Sequence, residues 1–419
     1  MEGRHMDYRL RVIDDELDEI LPELAAISLE GPRGVGKTAS AERRCRTARY
    51  LDQPAEYTLA EADPSIVLRG TPPVLIDEWQ RVPAVWDAVR RSVDEGADPG
   101  SFLLTGSAAP DRAPTHTGAG RVVNVRMRPM TLPERDVATP SVSLMRLLSG
   151  TALSVSGSTN ISPVDYASEI IQTGFPAIRS LSGRAHRMQL DGYLQRIIDV
   201  DFQEYGAPTR RPDLLQRWMA AYAAATATTA SYETIRDAAT AGDGNKPAKT
   251  TTIPYREVLE RLWIIDSVPA WIPSRNYLNR LSQSPKHHLA DPGLAARALG
   301  LDVDALLEKE AAMFGNLFES LVTLSVRVFA QNAESRVGHL RLHGGRREVD
   351  LIVERPDRKV LAIEVKLSTA VRDGDVENLN WLRDHLGPEI VDCLVIHTGP
   401  EAYRRNDGIA VVPAALLGP

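Results

Sequence analysis

Residues Gly31 to Thr38 read GPRGVGKT, which spaces two glycines, a lysine and a threonine as GxxxxGK[ST]. Glycines let a backbone curl until several N–H groups face one β-phosphate, and a following helix adds its positive end. Gly31, Pro32, Arg33, Gly34, Val35, Gly36, Lys37, Thr38 and the adjoining Ala39 form the candidate cradle. Lys37 would hold the β- and γ-phosphates, and the Thr38 hydroxyl would ligate Mg²⁺. A second stretch, VLIDE (Val74 to Glu78), ends in Asp77, suited to the magnesium's water shell, and in Glu78, suited to polarise an attacking water. Binding and hydrolysis of ATP is the chemistry such a set serves. In LLTGS, Thr105 or Ser107 could sense the γ-phosphate or be turn hydroxyls satisfied locally. Arg121 is a candidate arginine finger or sensor, with a surface arginine as the other reading.

A second constellation lies in REVDLIVERPDRKVLAIEVK, residues 347 to 366. With a loop at Pro356 to Arg358, alternation places Asp350 opposite Glu364 and Glu348 opposite Lys366. Val349, Leu351 and Val353 against Leu361, Ile363 and Val365 would form the other, apolar face. Two close carboxylates repel unless a divalent cation neutralises them, and their oxygens suit Mg²⁺ or Mn²⁺. Lys366 would then orient or deprotonate a metal-bound water. The other reading is a solvent-facing hairpin with Glu348 and Lys366 as a cross-strand pair. The preceding RVGHLRLHGGRR holds four arginines and two histidines, placed to hold a phosphate backbone or to be a solvated face. His339 and His343 read as surface residues.

The elements that must position these groups are a strand, AISLE, before the glycine loop, and two more apolar strands, VLIDE and SFLLTGS. Helical stretches separate them, such as Val85 to Val93, which predicts a parallel sheet covered on both faces. An α/β domain over residues 7–135 follows, then a linker poor in charge over 136–165. A largely helical segment spans 166–303, and a final domain spans 304–419. SYETIRDAAT and TTTIPYREVLERLWIID resemble the paired helices of a winged helix-turn-helix, which would present Thr251, Thr252, Tyr255 and Arg256 to base edges.

Length supports two or three domains at 419 residues. A net charge of -7 argues against a protein that coats nucleic acid by bulk charge. Cys45 and Cys393 are the only cysteines, which excludes a disulfide framework and points to the cytoplasm. No apolar run is long enough to suggest a membrane span, and MEGRHM lacks the apolar core of a signal peptide. It reads as a cloning remnant, with Met6 the expected native start.

GPRGVGKT, LIDEWQRVP, LLTGS and GR followed by RPMTLPER, in this order, resemble AAA+ superfamily ATPases of bacteria and archaea with a distinctive, uncharacterised C-terminal domain. TGFP (Thr173 to Pro176), LADPGL (Leu289 to Leu294) and GNLFESLV (Gly315 to Val322) extend the likeness over nearly the whole chain. The resemblance implies a P-loop AAA+ parallel-sheet domain, a helical and winged-helix middle, and a C-terminal α/β restriction-endonuclease-like domain. The Asp350, Glu364 and Lys366 pattern resembles the PD-(D/E)xK nuclease signature, and Glu319, on a preceding helix, stands where that fold often supplies another acid. The expectation is Mg²⁺-dependent ATP hydrolysis coupled to a DNA- or protein-binding winged helix and a nuclease-like domain with Mg²⁺ or Mn²⁺. The alternative is a nucleotide-gated DNA- or protein-binding regulator with little turnover and an inactive nuclease fold. Oligomerisation is a further expectation from the resemblance.

Overall fold

Five short apolar strands build the first sheet: β1 (Ala26–Glu30), β2 (Thr47–Tyr50), β3 (Val74–Asp77), β4 (Phe102–Gly106) and β5 (Val123–Arg126). All pair in parallel, in the order β2-β3-β4-β1-β5. β1, β3 and β4 are nearly continuous runs of buried residues, as strands covered on both faces must be. One cover includes Trp79, Val85, Trp86 and Val89. The other belongs to a core that continues through the helix Val12–Ile20 into the rest of the chain. Parallel pairing brings the C-terminal ends of β1, β3 and β4 to one edge. The predicted phosphate loop, Asp77 and Ser107 therefore meet there. The computed structural model describes residues 8–107, 119–151, 154–204, 212–240, 249–273, 284–342 and 346–419.

The middle of the chain is helical, with Pro163–Gln172, Gly183–Arg196, Pro212–Ala224, Tyr232–Ala239, Lys249–Arg261 and Pro292–Ala298 as its main helices. Aromatic side chains hold it together: Trp218 stacks on Tyr222 and meets Tyr255 edge-on, and Tyr255 also meets Phe202. Tyr255 is thus core and does not face a base edge. Arg256 lies over the Tyr232 ring and pairs with Glu260. The side chain of Thr251 and all of His343 lie outside the described residues.

The second sheet has seven strands in the order β7-β12-β13-β11-β10-β9-β8. These are β7 (Gly157–Ser158), β8 (Arg336–Arg341), β9 (Glu348–Glu354), β10 (Val360–Lys366), β11 (Ile390–His397), β12 (Glu401–Arg404) and β13 (Ala410–Pro413). A separate pair joins β6 (Val142–Ser143) to β14 (Leu417–Gly418). β6, β7 and the buried Leu144, Leu147 and Leu148 all come from 136–165, so this stretch is built into the C-terminal domain and is not a free linker. The helix Ala311–Asn332 is long and apolar enough to cross a membrane by length and composition alone. Here Leu317, Phe318, Leu321 and Val322 are buried in the main core.

The hairpin keeps the predicted register from its turn as far as Leu351 opposite Ile363, with Val353 opposite Leu361. One prediction about its faces fails. Between β8 and β9 the register passes from Gly338↔Ile352 to Leu340↔Val349, an extra residue on β9. This bulge turns Val349 into the cluster of Leu340, Ile352 and Leu379, whereas Leu351 and Val353 join the main core. Both faces of the sheet are therefore covered; Glu364 and most of Asp350 are enclosed with it, whereas Glu348 and Lys366 stay partly exposed.

Candidate active site

At the loop between β1 and the helix Lys37–Glu42, Gly31 has φ 155°, Gly34 80° and Gly36 104°, values that only glycine adopts without strain. A Cβ on Gly31 would stand 2.1 Å from the Met127 carbonyl oxygen. The Lys37 ammonium donates to the carbonyls of Gly31 at 2.8 Å and Pro32 at 3.0 Å. Burial lowers its pKa to about 8, against the opposing pull of Glu78 and Asp77. The Thr38 hydroxyl donates to Asp77 Oδ1 at 2.8 Å, and Thr105 at the end of β4 donates to the same oxygen. Burial raises the Asp77 carboxyl above the usual carboxylate range.

Glu78, one residue on, has a left-handed backbone with φ 55°, uncommon for a residue with a side chain. Its carboxylate accepts from Ser107 at 2.6 Å and from Gln80. The two candidate sensors are thus divided, Thr105 to Asp77 and Ser107 to Glu78. Thr38 and Asp77 present a hydroxyl and a carboxylate side by side, an oxygen set that fits Mg²⁺. Arg121 is not brought to this edge. It precedes β5, at the opposite end of the sheet, and pairs with Asp94 at 2.7 Å. The parallel topology that gathers the other residues is what excludes it.

Sequence reasoning missed the groups that tie the loop to its surroundings. Arg11 donates to Val35 O at 2.8 Å and Arg128 O at 2.7 Å, and pairs with Glu134 at 3.1 Å. Arg33 pairs with Asp201 at 2.7 Å and Glu204 at 3.3 Å of the middle segment. A cavity of about 440 Å³ opens beside the loop, lined by Tyr8, Arg11, Gly36, Ala39, Pro176 and Arg179. The motifs TGFP, LADPGL and RPMTLPER meet next to it. Asp291 accepts from Thr173 Oγ1 at 2.6 Å, Gly174 N at 2.8 Å and Gly293 N at 2.8 Å, and pairs with Arg135 at 3.5 Å. Farther along, Asp266 pairs with Arg126 at 3.1 Å, Arg128 at 2.8 Å and Arg327 at 2.9 Å, joining all three segments of the chain. Burial would raise its carboxyl, but the three guanidiniums outweigh this and hold it far below the carboxylate range.

The C-terminal candidates also converge. Val365 N donates to Asp350 Oδ2 at 2.9 Å, and Lys366 pairs with Glu364 at 2.7 Å. A residue absent from the sequence reading stands among them. Lys286 Nζ lies 2.8 Å from Glu319, 3.1 Å from Asp350 and 3.6 Å from Glu348. Burial, then the Asp350 charge, raise Glu319 and Glu364 above the usual carboxylate range. Burial alone would lower Lys286, but Asp350 and Glu319 outweigh it and keep the ammonium charged. Among the described residues no group of His, Cys, Asp or Glu is arranged to hold a metal ion. The predicted ligands Glu319 and Asp350 face an ammonium, so this arrangement does not fit a divalent cation. Glu348 turns to Lys286 and Arg341, and His339 is buried with its ring against Ser284 O, not on the surface.

Residues 24–135 match a family described as an AAA domain. Residues 164–305 and 314–417 match two domains of unknown function, DUF8612 and DUF4143. The chain is 26% identical to the uncharacterized proteins Rv2008c of Mycobacterium tuberculosis and Mb2031c of Mycobacterium bovis, over 95% of its own length and 82% of theirs. Solved structures with a weaker likeness include the Walker-type ATPase PABY2304 of Pyrococcus abyssi, 14% identical with a TM-score of 0.36 over 68% of this chain and 94% of that one. The Aeropyrum pernix ORC2 protein is 15% identical, with a TM-score of 0.29 over 73% of this chain and 97% of that one. The family match and the loop geometry carry the assignment: residues 24–135 form an AAA-type P-loop domain of the ATPase kind.

Proposed function

We propose that the chain binds ATP between Gly31 and Ala39 and hydrolyses it, and that the nucleotide state is passed to the middle and C-terminal segments. The single observation behind this reading is the hydrogen-bonded row at one sheet edge, Thr38 to Asp77 to Thr105, with Glu78 held by Ser107 beside it. The cavity beside Gly36 and Ala39 has room for the base. On ATP binding, Lys37 would exchange the Gly31 and Pro32 carbonyls for phosphate oxygens. Mg²⁺, held through Thr38 and Asp77, would neutralise phosphate charge. Glu78 would accept the proton of the attacking water, its carboxylate aimed by Ser107.

Turnover and affinity test this together. Glu78→Gln should lower kcat by on the order of 10²–10⁴ with ATP affinity kept, the usual weight of a general base. Lys37→Ala should lose binding in calorimetry. Turnover unchanged in both variants would remove the hydrolysis reading.

A second reading, a nucleotide-gated binding protein with little turnover, is favoured by Arg33. This loop residue is tied to Asp201 and Glu204, so phosphate charge arriving beside it would compete with the middle segment for its guanidinium. The partner is then DNA or, given the acidic net charge, a protein. Titrating a labelled duplex with and without ATP separates the cases. Affinity indifferent to nucleotide goes against gating of DNA. We place the chain in the cytoplasm, with self-assembly a matter for light scattering with and without ATP.

A further inference from the structure

We infer that the Lys286 ammonium is a built-in counter-ion of the C-terminal carboxylate cluster and takes the seat that a divalent cation would have in a nuclease-like arrangement of Asp350, Glu364 and Lys366. The inference is independent of ATP hydrolysis. An ammonium offers three N–H donors, and Lys286 has three carboxylates around it, Glu319, Asp350 and Glu348, at 2.8, 3.1 and 3.6 Å. The side chain is 1% exposed, so these carboxylates carry its charge in place of water. A magnesium ion bonds oxygen at about 2.0–2.1 Å in an octahedral shell, and no such shell around Glu319 and Asp350 leaves room for Nζ. Cation and lysine therefore exclude each other.

The lysine is delivered by a fixed backbone. Lys286 N donates to Val268 O and Val268 N donates to Lys286 O, each at 2.9 Å, and the flanking His287 N donates to Thr228 O at 2.8 Å. Both Val268 and Lys286 lie in the middle segment, so one segment of the chain fills the charge cluster of another. A second feature is a further acid enclosed beside Asp350. Glu364 is 3% exposed, and among the described residues its Oε1 has no hydrogen-bond donor, while Oε2 takes Lys366 at 2.7 Å. Removing Lys286 would leave Glu319, Asp350 and Glu364 enclosed with Lys366 alone, and a divalent cation is the ligand that such an oxygen set takes up.

The test is Mn²⁺ binding by the full chain without nucleotide, read by electron paramagnetic resonance, together with thermal melts in EDTA and in Mn²⁺. Wild type should melt at one temperature in both and show no Mn²⁺ binding that Asp350→Asn removes. Lys286→Ala should melt lower in EDTA, recover in Mn²⁺, and bind Mn²⁺ at least tenfold more tightly than wild type. Lys286→Ala with Asp350→Asn should lose that recovery. Wild-type Mn²⁺ binding that depends on Asp350, or a Lys286→Ala melt indifferent to Mn²⁺, overturns the inference. If Lys286→Ala does not fold, Lys286→Met keeps the stem and takes its place. Should that also fail, the wild-type titration against Asp350→Asn decides alone.

Discussion

Asp266 offers the sharpest test of how the three segments are joined. Its carboxylate is buried and takes Arg126 and Arg128 from the ATPase domain and Arg327 from the helix Ala311–Asn332, all within 3.1 Å. Asp266→Asn keeps the shape and removes the charge, leaving three enclosed guanidiniums without a counter-charge. A single such pair at about 3 Å is worth roughly 5 kcal/mol at an effective dielectric of about 20. Removing one partner of a buried pair typically costs about 3–5 kcal/mol, and that is the expected loss here. One hydrophobic core runs through all three segments, so they should melt together. With about 2.1 cal/mol/K of unfolding entropy per residue over the whole chain, each kcal/mol moves the melting temperature by about 1 °C, so it should fall by roughly 3–6 °C. Asp191→Asn, which breaks the exposed pair with Arg297, is the control and should cost about 1 kcal/mol or less. Differential scanning calorimetry of wild type and both variants gives the comparison. An Asp266→Asn melt within about 2 °C of wild type would refute the claim that this cluster holds the segments together.

Two further outcomes follow from the same geometry. Arg121→Ala should leave ATP turnover within about twofold of wild type, because Arg121 sits at the far end of the sheet against Asp94; a loss on the order of 10³ would instead place it at the site of a second copy. His339 carries a pH signature: burial, then the Lys286 charge, lower its pKa to about 4, whereas the unfolded imidazole titrates near ~6.5. Between those values only the unfolded chain takes the proton, so the stability His339 contributes is present above ~6.5 and is lost as pH falls. The margin of wild type over His339→Gln in urea melts should shrink from pH ~6.5 toward ~4.5, and a constant margin would contradict the assignment.

What the sequence disclosed was set by distance along the chain. GPRGVGKT and VLIDE each place their chemistry within a few residues of a strand end, and parallel pairing alone brings strand ends together. That the loop, Asp77, Glu78 and the hydroxyls of Thr105 and Ser107 share one sheet edge therefore follows from the sequence. Arg121 precedes a parallel strand and so lies at the other end of the sheet, exposed and paired with Asp94, which agrees with the surface-arginine reading. The hairpin register from the turn to Leu351 opposite Ile363 was legible from its turn and alternation. The bulge that turns Val349 away from Leu351 was not, because one extra residue in β9 has no compositional mark.

Long-range ion pairs were invisible altogether. Nothing in KHHLAD announces that Lys286 meets Glu319 and Asp350, or that Asp291 gathers Thr173, Gly174 and Arg135. The quoted motifs TGFP, LADPGL and RPMTLPER did hold a signal, since each contributes to that Asp291 network. It said that these short polar stretches do something together, without saying what. Met130 and Pro176 line the cavity beside the loop, and Asp291 holds Thr173 and Gly174 next to them, so a change at Asp291 should reach the cavity through position. The C-terminal cluster shows the opposite limit. There the local pattern of Asp350, Glu364 and Lys366 suggested a divalent-cation site, yet the charge beside Asp350 is a lysine more than sixty residues away, and only the fold could supply it.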